Sequence, residues 1–80
     1  MKIQEAVVKR IYELCKIYEI TPNALSYKAG ISQSTVKSIT NGESLNTGIV
    51  TIKKICDGLD ISINDFFNTE YFQNLEQELE

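Results

Sequence analysis

The sequence predicts an all-α fold, a compact five-helix domain spanning residues 1–68 with a short helical, amphipathic tail over 69–80. Apolar residues recur at three- and four-residue intervals through most of the chain, the period of helices that bury one face. Helix-start signals at Thr21-Pro22, Ser32 and Ser62 alternate with stop signals at Gly30 and Asn41-Gly42. Eighty residues also suffice for one modest core, but not for a sizeable catalytic pocket.

The first helix is read over residues 2–18. Ile3, Val7, Ile11, Leu14 and Tyr18 keep the helical rhythm, Val8 and Cys15 widen the stripe, and Lys9, Glu13 and Lys16 take the opposite face. Barely two heptads with mixed seam residues favour ordinary core packing over a coiled coil.

The second helix starts at Thr21-Pro22. The threonine hydroxyl can cap, and proline suits the first helical position because its missing N–H has no intrahelical partner there. This helix ends at Ala29, and Gly30 supplies the positive φ that reverses the chain within about three residues. Ser32 then caps a third helix over residues 33–41, which Asn41-Gly42 stops.

Residues 25–42 therefore organise the chain as two short helices joined by a turn. Val36 and Ile39 fix the buried side of the third helix, so Gln33, Ser34, Lys37, Ser38 and Asn41 point outward. That face has no large apolar side chain. A glutamine amide pairs two-point with adenine, serine donates or accepts, and lysine and asparagine reach guanine or phosphate. Any solvent-facing helix is polar, so the signal lies in the coupling of this face to the turn before it.

The fourth helix is expected from about Gly48 to Gly58 with Thr47 as its cap, burying Ile49, Ile52, Ile55, Cys56 and Leu59 and leaving Val50, Lys53, Lys54 and Asp57 outside. Lys53-Lys54 is read as a solubilising pair before a phosphate-binding one. Ser62 with Asp65 resembles a capping box opening a fifth short helix, whose Phe66 and Phe67 close the core. In the tail, Phe72, Leu75 and Leu79 stand at helical spacing among acidic and amide residues. This segment is expected either to fold back or to pair with its counterpart in a second chain, making a homodimer.

The composition, 42% apolar and 24% charged, is that of a soluble globular protein. No apolar run nears the roughly 18 residues of a membrane span and no secretory leader is evident, so a cytoplasmic protein without membrane contact is expected. With two cysteines, Cys15 and Cys56, and no histidine, no metal site of the usual kinds is expected; a reduced buried pair is the favoured reading. No nucleophile has a partnering base and no glycine-rich phosphate loop is present, so neither an enzyme, a cofactor nor a small-molecule substrate is expected. The net charge of −3 conceals an asymmetry: residues 1–42 carry +3 and residues 43–80 carry −6. Positive charge gathered on one face still permits DNA binding, with few phosphate contacts.

Residues 22–42 resemble the helix-turn-helix of the Cro/C1-type (Xre-like) family of phage, plasmid and bacterial repressors. The resemblance is carried by Leu25, Ser26, Ala29, Gly30, Ile31, Ser32, Val36 and Ile39, with Asn41-Gly42 closing the second helix, and it continues through Ile52-Lys53-Lys54-Ile55-Cys56 to Phe67. It implies a lambda-repressor-like domain that binds double-stranded DNA and acts as a sequence-specific transcriptional regulator, a repressor, with its recognition helix in the major groove. Carried over by position, it assigns base contacts to Gln33, Ser34 and Ser38, and backbone contacts to Ser32, Thr35, Lys37 and Asn41. Two places depart from the family. Pro22 stands where a glutamine often contacts the DNA backbone, and Glu43 and Leu45 stand in a loop that commonly carries lysine or arginine. Both departures weaken electrostatic grip. A reading from another class is a protein-interaction module, such as the antitoxin of a toxin-antitoxin pair or a regulator gripping a partner through its acidic half.

Overall fold

The computed structural model describes residues 1–79, which form α1 (Ile3–Ile17), α2 (Pro22–Ala29), α3 (Gln33–Thr40), α4 (Ile49–Leu59) and α5 (Ile63–Phe67), then a 3₁₀ turn (Glu70–Gln73). Among the described residues there is no strand, and no helix is long and apolar enough to cross a membrane. The five-helix all-α architecture read from the sequence is the observed one.

The helices meet on one core. Val7, Ile11, Leu14 and Cys15 of α1, Leu25 and Ala29 of α2, Ile39 of α3, Ile52, Ile55, Cys56 and Leu59 of α4, and Phe66 of α5 are all buried in it. The sheltered helix is α2, which packs against both α3 and α4. Its buried Ser26 donates its hydroxyl to the Asn23 carbonyl at 2.6 Å, so a polar side chain enters the core with its hydrogen bond made.

The caps explain most boundaries. Thr21, Ser32 and Ser62 each accept from the backbone N–H three residues on, at 3.1, 3.1 and 3.0 Å. Asp65 returns the favour by accepting from the Ser62 N–H, completing the box. Gly30 ends α2 at φ +66°, where the Ile31 N–H reaches the Ser26 carbonyl at 3.1 Å.

Several expectations need correction. Residue 18 lies past the end of α1, which stops at Ile17, so Tyr18 leaves the apolar stripe and is exposed. Ile49, placed on the buried stripe of α4, is 65% exposed, because burial on that helix begins at Ile52. Thr47 does not cap α4, whose N-cap is Gly48 without a side-chain bond. Instead the Thr47 N–H donates to Gln4 Oε1 and its hydroxyl accepts from Gln4 Nε2, both at 2.9 Å. Gly58 does not end α4 either; the helix runs on to Leu59, and Asp60 turns the chain at φ +56°.

The tail returns to the start of α1 without forming a regular α-helix. Phe72 packs edge-on against Phe67 at 4.9 Å, and Lys9 Nζ lies 4.6 Å from the centre of the Tyr71 ring. The Met1 amino group pairs with Glu76 at 2.9 Å, and Lys2 Nζ donates to the Gln77 carbonyl at 2.8 Å. Of the tail's three apolar positions, Phe72 packs half-buried against the core, Leu75 is half-buried and Leu79 is exposed. Half-buried contacts at Phe72 and Leu75 give an acidic segment no fully buried stripe to hold it helical. Residue 80, included in the expected tail, lies outside the described residues.

Candidate nucleic-acid interface

The helix α3 is held on one side and at both ends. Val36 and Ile39 bury one side of it. The Tyr12 hydroxyl of α1 donates to the Thr40 carbonyl at 2.9 Å, satisfying one of the acceptors that a helix C-terminus leaves open. At the other end Ser32 is both cap and hub: its hydroxyl lies 2.7 Å from Thr35 Oγ1 and 3.2 Å from Ser34 Oγ. The helix is thus fixed at both ends by groups outside its own ladder.

The residues singled out from the sequence divide into three settings. Gln33, Ser34 and Lys37 are exposed on the outer face of α3, with Ser38 half-buried beside them. Ser32 and Thr35 are exposed at its N-terminus but joined to each other. Asn41 is exposed yet engaged: its amide donates to Glu43 Oε1 at 2.8 Å and its carbonyl oxygen accepts the Glu43 N–H at 3.1 Å. A carboxylate therefore occupies the donor that a phosphate would use.

A polar hollow runs between α3 and the loop before α4, lined among others by Ser34, Thr35, Ser38, Glu43 and Asn46. A second, smaller one lies between Pro22 and Asn23 at the start of α2 and Gln33, Lys37 and Thr40 of α3. Pro22 offers this second hollow neither a side-chain donor nor an N–H.

Tyr27 escaped the sequence reading. It stands 73% exposed on the outer side of α2, and its hydroxyl oxygen accepts a 2.8 Å hydrogen bond from Gln33 Nε2. The available signal was its place within a helix whose Leu25, Ser26 and Ala29 all turn inward, which leaves position 27 facing out with an aromatic ring. Asn23, exposed at the second hollow, was also missed.

Lys28, Lys37 and Lys54 are exposed on α2, α3 and α4, whereas Lys53 is drawn into an ion pair with Asp57 along α4. No cluster of three or more potential metal ligands occurs among the described residues.

A family model described as the Cro/C1-type HTH DNA-binding domain matches residues 3–71. Among solved structures, the chain is similar to one described as the crystal structure of the prophage Lp1 protein 11, with 37% sequence identity and a TM-score of 0.79, over 90% of this chain and 96% of that one. No curated protein sequence matches.

Proposed function

We propose, from the premise that this chain belongs to the Cro/C1-type helix-turn-helix DNA-binding family, that it is a sequence-specific transcriptional repressor without catalytic activity, working in the cytoplasm. The observation that carries this reading is the outward row Gln33, Ser34 and Lys37 on a helix whose opposite side is anchored by Val36 and Ile39 and whose entry is set by the left-handed turn at Gly30.

In this reading Gln33, Ser34 and Ser38 face base edges in the major groove, while Ser32, Thr35 and Lys37 hold the backbone. Asn41 reaches a phosphate only by exchanging the Glu43 carboxylate for it. Repression follows from occupying promoter DNA. With so few free cations near α3, one copy grips weakly, and a homodimer on a near-palindromic site doubles the contacts. The tail over 69–80 is the segment we assign to that pairing, through the exposed Leu79 with the half-buried Leu75 beside it.

The test is a DNA shift assay on duplexes selected from a random pool. Gln33→Ala is expected to abolish preference at one base pair, worth about 1–3 kcal/mol for a two-point contact. Lys37→Gln is expected to weaken all duplexes alike and flatten the salt dependence by about one phosphate. Failure to bind any duplex at low salt would replace this reading with that of a protein-interaction module.

A further inference from the structure

Gln33 and Tyr27 are both exposed, and the bond between them joins α2 to the first residue of α3. A free glutamine side chain samples many rotamers, and ordering it on binding costs entropy. Tyrosine has only two side-chain torsions, and its partner position is fixed by a helix packed on two sides. The phenol is therefore the stiffer member, and the glutamine takes its orientation from it.

The bond also ties down one end of the amide, Nε2 donating to the Tyr27 oxygen. When the hydrogen anti to Oε1 makes that bond, the second hydrogen and Oε1 remain side by side. That is the donor–acceptor pair that adenine's N7 and N6 amino group require in the major groove. No other side chain of the described residues hydrogen-bonds the Gln33 amide, and Pro22, across the neighbouring hollow, has no donor to offer it.

We propose that Tyr27 is a specificity-determining positioning residue, which holds the Gln33 amide ready to read an adenine. The proposal rests on the reading of α3 as the base-contacting helix and names what that reading leaves open, namely the base and the group that selects it. Pre-ordering lowers the cost of the correct contact, and an amide held at one end has fewer rotamers with which to suit a different base.

The experiment uses the full chain and duplexes selected by it from a random pool. The base pair whose preference is lost in Gln33→Ala is identified first, and should be A·T. Affinities are then measured for that duplex and for its G·C counterpart, with the parent, Tyr27→Phe, Gln33→Ala and the double variant. Tyr27→Phe keeps the ring and an exposed position, so its thermal midpoint should match the parent's. Its A·T-over-G·C ratio should fall about three- to tenfold, the scale of one hydrogen bond. In the Gln33→Ala background the same change should leave the ratio unmoved, and any general loss of contact cancels in it. An unaltered ratio in Tyr27→Phe, or preference for a base other than adenine, would overturn the proposal while leaving base reading by α3 intact. If Gln33→Ala keeps every preference of the pool, base reading by Gln33 falls and the positioning role falls with it.

Discussion

Gly58 of α4 lies against the backbone of Lys28 in the last turn of α2, so closely that a Cβ on Gly58 would stand 2.7 Å from the Lys28 carbonyl carbon and oxygen and 2.8 Å from the Ala29 nitrogen. Those atoms are main chain and cannot swing aside. The hydrogen at Gly58 is what lets α4 support the helix that leads into the turn at Gly30.

Gly58→Ala should therefore destabilise, although alanine favours a helix over glycine by about 1 kcal/mol. Forcing apart two packed backbones outweighs that gain, and a net loss of about 1–3 kcal/mol is expected. A urea titration measures it. A midpoint equal to or above the parent's would show that α2 and α4 can separate without cost.

Arg10 secures the far end of the domain. Its Nε and Nη2 donate to the Phe66 and Asp65 carbonyls at 2.7 Å each, and Nη1 reaches Glu13 at 2.7 Å. Replacing Arg10 by methionine keeps the stem but strands those acceptors, at an expected cost of about 1.5–3 kcal/mol. Lysine should recover only part, since an ammonium cannot reproduce the planar fork. Thermal midpoints of the two variants, ordered arginine above lysine above methionine, are the check.

Burial pushes the thiols of Cys15 and Cys56 above their ordinary 9.0, and burial likewise raises the Tyr71 phenol above 10.0. Each group loses its proton more readily in the unfolded chain than in the folded one. Below about pH 9 both states hold these protons and stability is unaffected; as pH climbs past 9 the unfolded state ionises first and stability falls. Chemical denaturation from pH 7 to 10.5 should show a flat region followed by a decline. Both thiols are free and buried, so in the folded chain they should react with a thiol reagent far more slowly than in urea.

The tail offers a separable pair of effects. Phe72 packs against Phe67 and Tyr71, so Phe72→Ala should cost about 1–3 kcal/mol without changing the association state. Replacing the exposed Leu79 by Ser should instead shift sedimentation toward the monomer while barely moving the urea midpoint of that monomer. A species unchanged in sedimentation would take pairing away from the tail.

The fold was legible wherever a local rule sufficed. Thr21, Ser32 and Ser62 announce their helices through one hydroxyl and one N–H three residues apart, and Gly30 announces its turn through a conformation that side chains resist. What escaped depends on distant neighbours. Thr47 looks like a cap until Gln4, 43 residues away, claims it. Gly58 looks like a helix stop until the Lys28 backbone is brought beside it. At α3, periodicity placed Gln33, Ser34, Lys37 and Asn41 outward as they are found, but Ser38 is half-buried, the partner of Gln33 lies on another helix and that of Asn41 in the following loop. Periodicity describes one element at a time and carries no information about such pairings.

The two tethers from α1, Tyr12 to the end of α3 and Gln4 to Thr47, give that helix a further role. Eight residues of α-helix separate the tethers, a rise of about 12 Å. The connecting loop, extended, would cover roughly twice that span. It must bow outward, as the 88% exposure of Leu45 at its crest shows. Ser44 is tied back as well, its N–H donating to the Ser38 carbonyl at 2.9 Å, which leaves Leu45 and Asn46 as the untethered part of the loop. One or two residues could be added there with α3 left in place, so chains of this fold can diverge at that point in charge or spacing at little expense to the core.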